Sequence, residues 1–104
     1  MNKENKENDT KGSILETAKM ITEIASNHQY GHPKTNFENI ARFWNAYLNN
    51  KSGMPETFKV IDSKDVSMMM TLLKIAREMS KHKRDNLVDA AGYIRTAAMI
   101  EGIE

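Results

Sequence analysis

The chain has 104 residues, 39% of them hydrophobic and 28% charged, which suits one small globular domain and excludes a wholly disordered chain. Fifteen Lys and Arg against fourteen Asp and Glu leave a net charge of +1, so a globally basic binder of DNA or RNA polymers is excluded and anion binding must come from local clustering. There is no cysteine, hence no disulfide and no Cys-ligated zinc, and no apolar run approaches the ~20 residues of a membrane span.

Residues 1–12 are polar and aperiodic and are expected to be a frayed tail ahead of one domain over 13–104. They hold no apolar segment of the signal-peptide kind, so a cytoplasmic location is expected. Ser13 and Glu16 form a capping box, and Ile14, Ala18, Ile21 and Ala25 follow on one face, which predicts helix 1 over 13–27. Gly31 and Pro33 break the pattern, with His32 held extended by the proline; His28 and His32 therefore share no helix face and make a poor zinc pair. A second capping box, Thr35 to Glu38, opens helix 2, whose apolar stripe is Phe37, Ile40, Ala41, Trp44, Tyr47 and Leu48, ending near Asn49. Thr57 to Ile61 is β-branched without an obvious strand partner and reads as an extended connection. Asp62 or Ser63 caps helix 3, with an apolar face of Val66, Met69, Leu72 or Leu73, Ala76 and Met79 as far as Lys81. Helix 4 spans about 85–101, so helices 3 and 4 should form an antiparallel hairpin and the fold class is all-α, a four-helix single domain.

The chemistry concentrates where helix 3 ends. Lys74, Arg77 and Lys81 recur along one stripe, and His82, Lys83 and Arg84 follow just before the start of helix 4, where backbone N–H groups and the helix dipole favour an anion. A solvated face is the bland alternative. Asn86, Asp89 and Tyr93 share a face of helix 4, and Gly92 leaves room for a close approach. Asp89, set among apolar residues, needs a partner, and a helix 3 cation is the expected one. Phe37 and Trp44 are assigned to the core, while Tyr30, beside Gly31 in a loop, is the candidate for stacking on a base. An oxygen-ligand magnesium site from Asp65, Asp85 and Asp89 is the alternative chemistry, although acids at helix starts usually serve as caps. The eight methionines and the broad apolar faces of helices 3 and 4 point to an irregular core or a subunit interface, hence to a homo-oligomer.

Three groups of residues, in order, resemble a small family found mainly in phages and prophages. They are Tyr30-Gly31, Pro33, Asn36-Phe37, Ile40-Ala41, Trp44 and Tyr47-Leu48; then Asp65-Val66, Met69-Met70 and the run 72–77; then His82, Asp85-Asn86 and the run 88–93. More distantly, residues 86–93 look like the last core helix of the MazG-type all-α nucleoside triphosphate pyrophosphohydrolases, which hold magnesium with paired acids and assemble as dimers or tetramers. Asp89 matches their final acid, but Asn86 stands where the partner Glu would be and no Glu-x-x-Glu occurs in helix 1 or 2. A neutral amide does not balance divalent charge, so the resemblance implies nucleotide binding more than hydrolysis.

The chain is also similar, in size and basic helix ends, to the small helical phage oligomers that sequester cyclic oligonucleotide signals of bacterial defences such as CBASS. That analogy implies a homo-oligomer, with a tetramer favoured, working in the host cytoplasm during infection. It would bind a cyclic dinucleotide and neither cleave it nor need a metal. Lys74, Arg77, Lys81, His82, Lys83 and Arg84 would then meet phosphate, Tyr30 a base, Asn86 a base or ribose, and Asp89 a guanine edge or Arg77, with Tyr93 on the same face. The alternatives are a MazG-like enzyme using Mg2+ and a helical adaptor for another protein.

Overall fold

The computed structural model describes residues 12–24 and 32–104; residues 1–11 of the predicted tail, the end of helix 1, His28 and Tyr30 lie outside them. Four α-helices follow in order, α1 Ile14–Ile24, α2 Pro33–Ser52, α3 Ser63–Ser80 and α4 Arg84–Ile100, with no strand among the described residues. The all-α, four-helix expectation therefore stands.

Three of the four helix starts carry a side-chain cap. Ser13 Oγ accepts the Glu16 N–H at 3.1 Å, the cap expected for α1. The start of α2 differs from the sequence reading: the capping residue is His32, whose Nδ1 accepts the Lys34 N–H at 3.1 Å, and Thr35 already lies inside the helix. Pro33 explains the shift, because its fixed φ and missing N–H suit the first helical position. At the other end α2 runs past Asn49 to Ser52 and stops at Gly53, whose φ of 71° closes a Schellman-type turn in which Met54 N–H donates to Asn49 O at 2.9 Å. Asp62 caps α3 in a reciprocal box with Asp65, each side chain accepting the other's backbone N–H at 3.0 Å.

The connection turns over residues 55–58, where Phe58 N–H donates to Pro55 O at 3.0 Å, so Thr57 belongs to a turn and the expected segment forms no strand from there to Ile61; α2 supplies its partners. Asn45 Nδ2 donates to Ile61 O at 2.9 Å, and its Oδ1 accepts the N–H groups of Val60 and Ile61. One turn further along, the buried Asn49 amide donates to the carbonyls of Glu56 and Phe58. Two asparagine amides on one helical face thus satisfy backbone groups that would otherwise need a neighbouring strand.

Helices α3 and α4 form the expected antiparallel hairpin. Ser67 Oγ donates to Tyr93 O, Lys74 Nζ lies 3.0 Å from Asp89 Oδ2, and Asn86 Nδ2 meets Glu78 Oε1 at 3.3 Å, so positions advance along one helix as they recede along the other. The main core cluster sits where α2 meets this hairpin: Phe37, Ala41 and Val66 are buried, with Ile40, Trp44, Ile61, Met70, Tyr93 and Ile100 packed against them. Helix α1 lies on the other flank of α4, where Thr17 and Ala18 are buried and Thr22 Cγ2 would stand 3.5 Å from a Cβ at Gly92. The close approach that Gly92 permits is therefore to α1.

Helix α3 keeps Val66 of the expected apolar face inside and turns the rest of that face outward. Its inward side is Ser63, Val66, Ser67, Met70, Thr71 and Lys74, while Met69, Leu72, Leu73, Ala76 and Met79 are exposed, Leu72 by 62% and Met79 by 84%. Small hydroxyl residues allow close helix approach and satisfy themselves locally, Thr71 Oγ1 donating to Ser67 O at 2.9 Å. Tyr47, counted in the stripe of α2, is likewise 67% exposed. Among the described residues nothing covers these faces.

Candidate functional site

The turn between α3 and α4 gathers part of the predicted site. Arg77, Lys81, His82 and Lys83 are exposed there, and Lys83 caps α4 without a side-chain hydrogen bond. Among them sits a carboxylate that the sequence reading left out. Glu78 accepts from His82 Nδ1, from the Lys83 backbone N–H at 3.0 Å and from Asn86 Nδ2 at 3.3 Å. The His82 hydrogen bond, then the Lys83 N–H and the Asn86 amide, hold the Glu78 carboxyl below its ordinary pKa. The dipole argument anticipated an anion beside the start of α4; one such anion belongs to the chain itself. Its spacing of four from His82 was visible, and so was the oddity of an acid in the last turn of a helix, where the dipole disfavours it.

The remaining predicted residues go elsewhere. Arg84 is buried and turned toward α1, where its guanidinium donates to Gly12 O at 2.7 Å and Thr17 Oγ1 at 3.4 Å. Arg95, near the other end of α4, grips the same helix by donating to Thr22 Oγ1 at 2.7 Å, and it pairs with Glu104 at 2.8 Å. Asn86 is buried, its amide also donating to Lys81 O at 3.4 Å, which ties the last turn of α3 to the first of α4. Lys74 is the cation that pairs with Asp89, in place of the Arg77 bracing considered above. Tyr93 tilts against Phe37, ring centroids 6.3 Å apart, within the core. Tyr30 lies outside the described residues.

The acids of the alternative magnesium site do not converge. Asp65 is engaged in the capping box at the start of α3, whereas Asp85 lies in the first turn of α4, beside the opposite end of α3 and roughly 27 Å of helix away. Asp89 is paired with Lys74 between them, and no group of three or more His, Asp or Glu fit to hold a metal occurs among the described residues. These residues do not fit a magnesium centre.

A separate open groove of about 760 Å³ lies at the start of α3, between α2, the 56–64 segment and the end of α4. Lys34, Arg42 and Lys59 line it together with Glu38, Asp62 and Glu101, a balance of signs that selects neither anion nor cation.

No helix of the described residues is long and apolar enough to cross a membrane. No solved structure matches the chain. Two curated relatives do: the Gene 55 protein of Mycobacterium phage L5, 43% identical over 82 residues, and the Gene 55 protein of Mycobacterium phage D29, 39% identical over 82 residues. In both, the match covers 78% of this chain but 47% and 48% of the relative, so the chain spans about half the length of these proteins. Residues 13–101 match DUF6378, a domain of unknown function, and the chain belongs to that family.

Proposed function

We propose that the chain is a phage-encoded binding protein that holds a small phosphate-bearing nucleotide, of the cyclic dinucleotide class, at the α3–α4 turn and leaves it intact. The observation that carries this reading is the exposed group Arg77, Lys81, His82 and Lys83 around the uncapped start of α4. Glu78 bonds His82, the Lys83 N–H and Asn86, so the bare cations offered to a ligand are Arg77, Lys81 and Lys83. That the ligand is a defence signal rests on the similarity to phage sponge proteins; the mycobacteriophage relatives support the phage setting alone. The working form is a homo-oligomer, a tetramer by the same similarity, in the host cytoplasm. The MazG-like alternative loses support, since Asp65, Asp85 and Asp89 stand apart.

The test is to incubate the chain with cyclic dinucleotides and with ordinary nucleoside triphosphates, then denature it by heat and identify what is released. Intact cyclic ligand, with a raised Tm before denaturation that Lys81→Ala and Lys83→Ala together abolish, supports the reading. Magnesium-dependent release of pyrophosphate would establish the enzyme instead, and no Tm shift with either class would leave a protein-binding module. That second reading is favoured by one observation, the exposed Met and Leu face of α3.

A further inference from the structure

The largest unexplained feature of the molecule is the outward side of α3. Met69, Leu72, Leu73 and Met79 are each between 39% and 84% exposed on the side of the helix turned away from the Ser67–Thr71 seam with α4, and Met68 and Ile75, 45% and 46% exposed, flank that seam. Met69, Leu72, Ala76 and Met79 recur at steps of three, four and three, the spacing of a two-helix seam. A helix that keeps its hydroxyl side for its own chain and its Met and Leu side for solvent has its larger apolar stripe unpaired.

The charges around the stripe say what pairs with it. The start of α3 carries Asp62 and Asp65, whose carboxylates are exposed, and its end runs into Lys81, His82 and Lys83, also exposed. A second α3 laid parallel would set acid against acid and base against base. Laid antiparallel, the same helix meets its own complement, and the two helix dipoles are opposed as well. A two-fold axis level with residues 73–75 then brings Met69 opposite Met79, Leu72 opposite Ala76 and the acidic start opposite the basic turn. Six large apolar side chains left open along one helix are what the apolar centre of an interface needs, within the ~800 Å² that each partner contributes to a standard one. Unbranched methionines at the ends of the stripe let two identical surfaces adjust to one another.

We infer that the outward Met and Leu face of α3 is the contact surface of a homodimer in which two copies of α3 pack antiparallel about a two-fold axis. Any larger assembly is built from this pair. The apolar stripe itself belongs to no ligand contact proposed above, whereas Lys81, His82 and Lys83 serve both readings, as the complement of Asp62 and Asp65 here and as phosphate contacts there, and the pairing sets two basic turns at opposite ends of one seam.

Sedimentation of the 104-residue chain over a range of concentrations tests it first. The expected result is a dimer, or an even multiple, and Leu72→Glu is expected to halve the mass while leaving the circular dichroism helical. Phe43→Glu, on the exposed side of α2, is expected to leave the mass unchanged. A monomer at all concentrations overturns the inference, as does a monomer that Leu72→Glu melts at lower temperature, which would mean that the chain covers this face itself. Because the native chain has no cysteine, introduced thiols report the direction of pairing. Met69→Cys and Met79→Cys variants, each alone, should stay unlinked on oxidation, and their equimolar mixture should give a disulfide-linked dimer. Self-linking of each variant would show parallel packing and overturn the two-fold geometry.

Discussion

Asn86 Nδ2 lies 3.3 Å from Glu78 Oε1, and the same oxygen accepts the Lys83 N–H at 3.0 Å, so the turn joining α3 to α4 closes around one carboxylate. Replacing Asn86 by Ala removes the amide from a buried position and should cost about 1 to 2 kcal/mol in urea unfolding. Asn86→Asp sets a second carboxylate against Glu78 and should cost more at pH 7 than the alanine change, with the excess shrinking as the pH is lowered. Equal cost at both pH values would show that the amide is not held by Glu78.

Acid should loosen α3 at both of its ends. The Asp65 backbone N–H holds the Asp62 carboxyl below its ordinary value at the start, and the His82 hydrogen bond does the same for Glu78 at the end. A carboxylate depressed in the folded state contributes stability that is fully present above its unfolded pKa and is lost as the pH falls through the folded one. The urea midpoint should therefore hold between pH 7 and pH 5 with respect to these two groups and fall below about pH 4, the ordinary carboxylate range. In the Asp62→Asn, Glu78→Gln double variant that fall should be smaller, read as a flatter plot of midpoint against pH.

Asn45→Ala should release the extended segment from α2. The change leaves the Val60 and Ile61 N–H groups and the Ile61 carbonyl without their partner, at about 2 kcal/mol. Limited proteolysis should then cut within residues 53–62 faster than in the native chain.

Gly92 is expected to accept a methyl group and no more. A Cβ there would meet Thr22 Cγ2 at 3.5 Å, an ordinary contact, so Gly92→Ala should raise stability by up to ~1 kcal/mol through helix propensity. Gly92→Leu overfills the same contact and should lower stability by about 1 to 3 kcal/mol, separating α1 from α4. Melting temperatures of the two variants, moving in opposite directions, check both.

Helix positions were legible because caps and breakers are local: Ser13, Asp62, Gly53 and the 81–83 turn announce boundaries within a few residues. Orientation was not, because it depends on what a helix meets. The Met and Leu side of α3 reads as core by every apolar pattern, yet Ser67 and Thr71 allow the closer approach to α4 and take the inside. The basic cluster was legible as a cluster. That Arg84 would turn to Gly12 and Thr17 required contacts some seventy residues apart in the chain, whereas the bond of Glu78 to His82 spans four residues and was within reach of the sequence. Asp89 was the clearest success of chemical reasoning at the site, since a carboxylate among apolar neighbours demanded a cation and Lys74 supplies it.

Helix α1 packs chiefly on α4, gripped by Arg84 at one end and Arg95 at the other, with Thr22 over Gly92 between them. A segment attached to a single neighbour can open as a unit while the rest of the chain stays folded. Backbone amides of Thr17 and Ala18 should then exchange with solvent well before those of Val66 and Ser67, and each opening bares a strip of α4 along Val88 and Gly92 that the closed molecule keeps dry.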